Sequence, residues 1–459
     1  MNAQQALSGI WQLAGLPEEA LGCAQLTGHD PVYPSSFALA TAAQSTIAAA
    51  ALAACEFGHL RGAPRQDVRV DSTHAAVECT GWFSIDGRVP ELWDPFSGLY
   101  RASDGWVRVH ANFRHHRDGA LRLLGLDPAV ATRDDAERAM LDWRAVDFES
   151  AAADQSLVAT ALRSFDAWDA TPQAQAIAAQ PLFRIERIGD APALPLPPLS
   201  AAQRPLEGVR VLDLTRILAG PVAGKALAAY GADVMLLNSP HLPNISAIAD
   251  TSRGKRSALV DLTLPAGRAA MDALLAQAHV FIQGYRPGGL QALGYGPEAV
   301  ATARPGIVYV SLSAYGTAGP WAPRRGFDSL VQTAMGFNVA EAEAAGVATP
   351  RALPMQILDE ASGYLMALGA AAALRRQQLE GGSWHVHVAL AHTGHWLRKL
   401  GRVADGFASV APDRAPYLES SNSGFGHLQA IRHSAQLSRT PARYARASMP
   451  PGTDAPTWA

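Results

Sequence analysis

One carboxylate in this chain is placed as a nucleophile would be. Asp359 lies in QILDEASGYLMALGAAAAL (356–374), just ahead of a run of small residues that reads as a helix. A carboxylate ionised near its ordinary pKa of about 4 needs no base to attack a carbonyl carbon. Its covalent adduct divides one difficult acyl exchange into easier steps. The oxyanion of such a step calls for backbone N–H donors, which a nearby glycine turn can supply. An aspartate at this position can also simply cap its helix, so the surroundings must decide between the two.

Two further segments could hold the phosphates of a large substrate. SRGKRSALVDL (252–262) crowds Arg253, Lys255 and Arg256 into a turn before a strand; a solvated basic turn and a phosphate contact are both open there. YRPGGLQALGYG (285–296) brings Arg286 together with Gly288 and Gly289 in a loop after the apolar run HVFIQ. Ligands of open α/β sheets bind outside the carboxyl ends of the strands, so these loops point to one face. Other motifs carry less. GPVAGKA resembles a Walker loop, but it is one residue short and no Ser or Thr follows Lys225. The Gly-x-Gly-x-x-Gly fingerprint is missing, which weakens a nicotinamide oxidoreductase reading. His110, His115 and His116 in VRVHANFRHH have no carboxylate or cysteine at metal-ligand spacing and read as strand or surface histidines.

The elements that must position these residues begin at about 205. The apolar run 209–214 suits a central parallel strand. Ala219-Gly220-Pro221 reads as a turn, 223–230 as a small-residue helix ended by Gly231, and 232–237 as the next strand. That is a βαβ unit, and a helix N-terminus at such a turn can hold a phosphate. The fold class is therefore α/β: a Rossmann-like large domain with a parallel sheet over 205–400, plus a smaller α+β domain over 95–190. In the latter, Asp104-Gly105 marks a hairpin turn. Residues 191–204 are a Pro-rich linker, 1–94 a mainly helical segment, and 401–459 a loop-rich tail packing back on the large domain. A faint repeat relates 1–94 to the region around 356–392. At an offset of 318 residues Val68, Val70 and His74 meet Val386, Val388 and His392, and Thr41 falls opposite Asp359.

Composition bounds the function. Charged residues are 17% and hydrophobic ones 48% of 459 residues, which describes a globular chain. The net charge of −3 and the lack of a basic stripe argue against nucleic acid as a partner. Three cysteines, Cys23, Cys55 and Cys79, without CxxC spacing, suit a reducing compartment. The N-terminus lacks the pattern of a signal peptide, and the Ala-rich stretch 38–55 reads as a buried helix rather than a membrane span. A cytoplasmic location with no membrane partner is expected.

Taken in order, several segments resemble the family III CoA-transferases, the carnitine-CoA and formyl-CoA transferase group. They are LEGVRVLDLTRILAGP (206–221), GADV (231–234), RGKRSALVDL (253–262), RPGGLQALG (286–294), SLSAYGTAGP (311–320), GFDSLVQTAMG (326–336) and 356–374. The resemblance implies a Rossmann-like domain that binds CoA as a substrate, with no permanently bound cofactor, in an interlocked homodimer. It implies that CoA passes between an acyl-CoA and a small carboxylic acid through an aspartyl-CoA thioester at Asp359. For CoA contacts it implies Arg216, Leu218 and Ala219 on the first turn, Arg253, Lys255 and Arg256 on the basic turn, Arg286, Gly288 and Gly289 on the glycine loop, and Tyr315 with Gly316.

Racemases of the same superfamily carry a histidine base where this chain has Phe327, which favours transfer over racemisation. Asp328 beside it reads equally as a structural or a site residue. Asn238 and Leu218 depart from residues common in the family. The segments resembling its smaller domain (99–126 and 183–198) precede the Rossmann-like part, so the domain order looks permuted. A CoA-binding subunit without catalysis and an acyl-CoA isomerase or racemase are the alternatives. Trp93, Trp106 and Phe113 are candidates to line the acyl pocket.

Overall fold

The strand Arg210–Leu214 is buried almost end to end, as an apolar run inside a parallel sheet must be. In the computed structural model, which describes residues 1–458, it is third in a seven-stranded sheet. The order across the sheet is Arg256–Leu259, Asp233–Asn238, Arg210–Leu214, Val280–Gln283, Val308–Ser313, Ser383–Ala389 and Phe183–Gly189. The first six run parallel and the last is antiparallel to its neighbour. The chain builds outward on one side of Arg210–Leu214 and then returns to its other side with Val280–Gln283. That reversal opens a crevice at the carboxyl ends of these two strands.

The first helix of the βαβ unit is Ala219–Ala229, four residues longer at its start than expected. Ala219-Gly220-Pro221 forms its first turn instead of the connecting turn. Proline fits there because the first-turn N–H groups have no helical partner to lose. The connection is 215–218, where Ile217 is forced to a φ of 79°.

Two long helices fill the middle of the molecule. Leu39–Leu60 and Ile357–Glu380 pack against each other, and the second also packs against Ala219–Ala229. Both are apolar enough to pass as membrane spans by composition, yet both are enclosed within the protein. Their small residues permit close contact: a Cβ at Gly363 would come within 2.6 Å of Ala219 O and 2.8 Å of Val222 Cβ.

The domain boundaries differ from those expected. Helices from 1–60 share one hydrophobic core with the 205–400 segment, so 1–94 is no separate unit. The smaller α+β domain has its own core around Met140 and Phe148 and a sheet of Gly98–Ala102, Gly105–Val109 and Ala159–Ala161. It ends before 183, because Phe183–Gly189 joins the large sheet. The Pro-rich stretch is extended but anchored: the Arg61 guanidinium donates to Pro197 O and Glu207 O. The tail holds a hairpin, Leu418–Ser423 with Gly426–Ile431, that pairs with Phe83–Ile85, and the Trp458 indole N–H donates to Leu274 O. The final residue, Ala459, lies outside the described residues.

The two regions related by the 318-residue offset have the same order of elements. Leu39–Leu60, Val68–Asp71 and Ser72–Glu78 run helix, strand, helix, as do Ile357–Glu380, Ser383–Ala389 and Leu390–Lys399. Each long helix also begins on a distant carboxylate. Asp30 accepts from the Ala40 and Thr41 N–H groups (2.9 and 2.8 Å), and Asp328 accepts from those of Leu358 and Asp359 (2.7 and 3.0 Å).

Because Gly363 sets the spacing of two core helices, Gly363→Val is expected to lower stability by about 1–3 kcal/mol. Gly9→Ala, where a Cβ would meet nothing within 4 Å, is expected to be neutral or to stabilise by about 1 kcal/mol. Urea unfolding of the two variants checks this; equal stability would show that the helix contact is loose.

Candidate active site

A cavity of about 580 Å³ occupies the crevice at the sheet's reversal point. The turn after Arg210–Leu214 contributes Arg216, Leu218 and Ala219 to its wall, and the loop after Val280–Gln283 contributes Arg286 and Gly289. Asp359 lines it too. Six of the residues singled out from the sequence therefore meet in one place. Ile217 is also on the wall, and a β-branched residue at positive φ stores strain on the order of 1–3 kcal/mol. Asn238, also on the wall, donates to Thr215 O and fixes the turn from below.

Asp359 is the third residue of its helix. Its carboxylate makes no hydrogen bond to another described residue, although only 8% of the residue is exposed. The capping task belongs to Asp328, at the start of the helix Asp328–Met335, which takes the N–H groups of Leu358 and Asp359. Gln332 steadies it, donating to Asp328 Oδ1 and to Met355 O while accepting from the Leu353 N–H. Asp328 is thus a positioning residue that ties two helices together and leaves Asp359 free to face the cavity.

This arrangement corrects one expectation. Burial, then the neighbouring Asp328 and Glu360, hold Asp359 protonated well above the ordinary carboxylate range. Burial also pushes Asp328 up to about 7 and Glu360 up to about 8. The helix N-terminus favours the anion, but three crowded, desolvated carboxyls outweigh it. Asp359 is not an acid titrating near its ordinary value.

The basic turn is a second correction. Arg253 and Lys255 are buried, and none of Arg253, Lys255 and Arg256 lines the cavity. Lys255 Nζ bonds Asp213 (2.8 Å) and Pro221 O, Arg253 pairs with Asp250 and Glu419, and Arg256 pairs with Asp233 (2.9 Å). Lys225 of the Walker-like motif pairs with Asp250 at 2.7 Å. The turn is neither solvated nor free for a phosphate; desolvated cations need such partners. Tyr315 is likewise corrected: it is buried against Trp321 and lines no cavity. Gly288 and Gly316 line a second, adjoining cavity, with Arg286 shared between the two.

Sequence reasoning set aside residues that the fold brings here. His115 and His116 reach the cavity from the smaller domain, beside Phe113, which was expected on its wall. His116 Nε2 lies 3.0 Å from Arg325 Nη1, Nδ1 has no partner among the described residues, and burial holds its pKa down at about 3. His110 stacks on Phe327 with ring centroids 3.9 Å apart. Trp93 and Trp106 do not line the cavity. The dense HANFRHH segment was the available signal, though its spacing fits no metal site. Where the smaller domain docks cannot be read from spacing.

The crowded carboxyls make stability depend on pH. Between about pH 4 and their folded pKa values the folded chain keeps protons that the unfolded chain releases, so stability falls as pH rises. Asp359→Asn is expected to flatten that fall between about pH 5 and 8, by on the order of 1 kcal/mol per pH unit for one proton. Thermal unfolding across this range checks it; parallel profiles for the two proteins would contradict it.

Residues 206–403 match the family described as CoA-transferase family III. An acyl-CoA transferase of Gibberella moniliformis is 29% identical over 376 residues, 73% of this chain and 66% of that protein. A probable fatty acyl-CoA transferase of Mycobacterium tuberculosis is 34% identical over 207 residues, 42% of this chain and 52% of the relative. The crystal structure of the mycobacterial protein superposes with a TM-score of 0.39 at 32% identity, covering 43% of this chain and 59% of that one. The chain thus spans between about half and two thirds of the length of these relatives. The matched residues 206–403 carry both crevice loops and Asp359.

Proposed function

We propose that this protein moves CoA between an acyl-CoA and a carboxylic acid, with Asp359 as the nucleophile. The observation that carries the reading is the Asp359 carboxylate itself: without a hydrogen-bond partner among the described residues, buried, and facing a cavity large enough for the reactive end of an acyl-CoA. A carboxylate oxygen of Asp359 attacks the thioester carbonyl carbon. The C–S bond breaks and CoA leaves as the thiolate, giving a mixed anhydride. The thiolate then attacks the Asp359 side-chain carbonyl, releasing the first acid as its carboxylate and leaving an aspartyl-CoA thioester. The acceptor carboxylate repeats the two steps in reverse, and Asp359 is regenerated. One negative charge is carried throughout, so no redox partner is needed.

The residues around it divide the work. Arg286 and Arg216 suit the anionic part of CoA. Leu218, Phe113 and Phe327 supply an apolar wall for the acyl and thiol-bearing ends. Asp328 holds the backbone that aims Asp359. Because Asp359 must be ionised to attack, and its surroundings resist ionisation, turnover is expected to rise with pH through neutrality. A homodimer in the cytoplasm completes the reading; free Cys55 and Cys79, both buried, and free Cys23 suit a reducing compartment.

Incubation with an acyl-CoA and hydroxylamine, followed by peptide mapping, tests the reading. A hydroxamate is expected on Asp359, more of it at pH 8 than at pH 6, and none in Asp359→Asn. Bound CoA without any hydroxamate would instead leave a CoA-binding subunit.

One observation favours a second reading. His116 places an imidazole in the same cavity as Asp359, and a pair of acid/base groups could move an α-proton. Incubation with an α-branched acyl-CoA in D₂O separates the two. Deuterium at the α-carbon that disappears in His116→Ala would mark an isomerase; trapping of Asp359 without exchange is the outcome expected here.

A further inference from the structure

His116 joins the wall of the Asp359 cavity from the smaller domain, as the third residue of the helix Arg114–Leu123. The residue is 4% exposed. Its Nε2 lies 3.0 Å from Arg325 Nη1. A guanidinium has only donors and keeps its proton, so the bond runs one way: Arg325 donates and His116 Nε2 accepts. The ring proton of the neutral imidazole then sits on Nδ1. Burial first, then the neighbouring His115 and Arg325, keep the ring neutral. Arg325 thus fixes the tautomer and makes His116 a poor base, because the one lone pair able to take a proton is already engaged.

What remains is a donor. The Nδ1–H has no acceptor among the described residues, and a buried N–H in that state is costly. Other polar groups on the same wall are engaged. Asn238 donates to Thr215 O, His241 Nε2 lies 2.9 Å from Asp261 Oδ2, and Arg216 donates to Pro243 O. Phe327 relates His116 to the nucleophile. Its ring centroid is 6.4 Å from that of His116, and the next residue, Asp328, accepts the Asp359 N–H at 3.0 Å. His116, Phe327 and Asp359 all line one cavity.

We propose that His116 is the oxyanion donor of the transfer reaction, its Nδ1–H hydrogen-bonding the thioester carbonyl oxygen while Asp359 attacks the carbon. Attack forms a C–O bond from Asp359 and moves the carbonyl π electrons onto that oxygen. The hydrogen bond strengthens as the charge grows, and the proton stays on Nδ1. The electron pair returns to the carbon as the C–S bond breaks and the thiolate leaves. A neutral imidazole suits the task, since it polarises a carbonyl without protonating it. Arg325 is the positioning residue that holds the ring in its donor form. Nucleophile and donor then come from different units of the chain: Asp359 lies within residues 206–403 and His116 outside them. This inference rests on the transferase reading of the cavity.

The rate of hydroxamate formation on Asp359, from an acyl-CoA and hydroxylamine, tests it. His116→Leu is expected to slow that rate by roughly a hundredfold, with CoA binding by calorimetry unchanged. His116→Gln, which restores an N–H donor without a basic nitrogen, is expected to recover most of the loss. A measurement that needs no turnover is the infrared stretch of an isotope-labelled thioester carbonyl bound to Asp359→Asn. It is expected at lower wavenumber than in water, and to move back when His116→Leu is added. A full rate in His116→Leu, a Gln variant as slow as the Leu variant while both bind CoA, or a carbonyl stretch indifferent to His116 would each overturn the assignment. No hydroxamate in the unmodified chain would instead defeat the transferase reading, and this inference with it.

Discussion

The carboxylate of Asp328 is the constraint on which the site depends. It takes the free N–H groups of Leu358 and Asp359 at the head of a 24-residue helix. Helix starts need an acceptor there, and supplying it from another helix locks the two elements together. It also frees the Asp359 side chain from capping its own helix, the commonest task of an aspartate at this position. The cost is two carboxyls in one desolvated place: burial raises the pKa of both, and the Asp328 carboxyl raises that of Asp359 further. Asp328 therefore positions Asp359 and adds to a shift that burial begins. A helix Leu39–Leu60 built on the same plan, with Asp30 as its acceptor, has Thr41 at the corresponding place and no carboxylate to offer.

A second layer of charge holds the scaffold. Asp213 of the central strand meets Lys255, and Asp250 meets both Lys225 and Arg253. Removing any one partner from such a set would strand a buried charge. Gly224 is small for the same reason: a Cβ there would lie 2.2 Å from Asp213 Oδ2 and 2.8 Å from Lys255 Nζ. The GPVAGKA and RGKR segments, each suggestive of phosphate binding in isolation, are the two halves of this internal web. The arginines that do line the cavity stand on the crevice loops, Arg216 and Arg286.

What could be read from the chain alone was the local order of elements and the residues that short spacing brings together. The strand at 210–214, the crevice loops and Asp359 were legible, because apolar runs and glycine turns act over a few residues; the switch of direction at the sheet centre was not. The fate of Arg253 and Lys255 was not, since their partners Glu419 and Asp213 lie 166 and 42 residues away. His116 was not, since it arrives with a whole domain whose docking no local pattern encodes. The boundary near residue 190 was missed for a related reason. Phe183–Gly189 follows the smaller domain in sequence yet completes the edge of the large sheet. The raised pKa of Asp359 comes from burial and then from Asp328 and Glu360, and is a property of packing.

The central claim is that Asp359 carries the covalent chemistry, and the most direct test is intact-protein mass after rapid acid quench of a reaction with an acyl-CoA. The account calls for a species heavier by one CoA less one water, located on the peptide that contains Asp359 and absent from Asp359→Asn. No mass gain under conditions where CoA binds, or a gain that survives in Asp359→Asn, would contradict it.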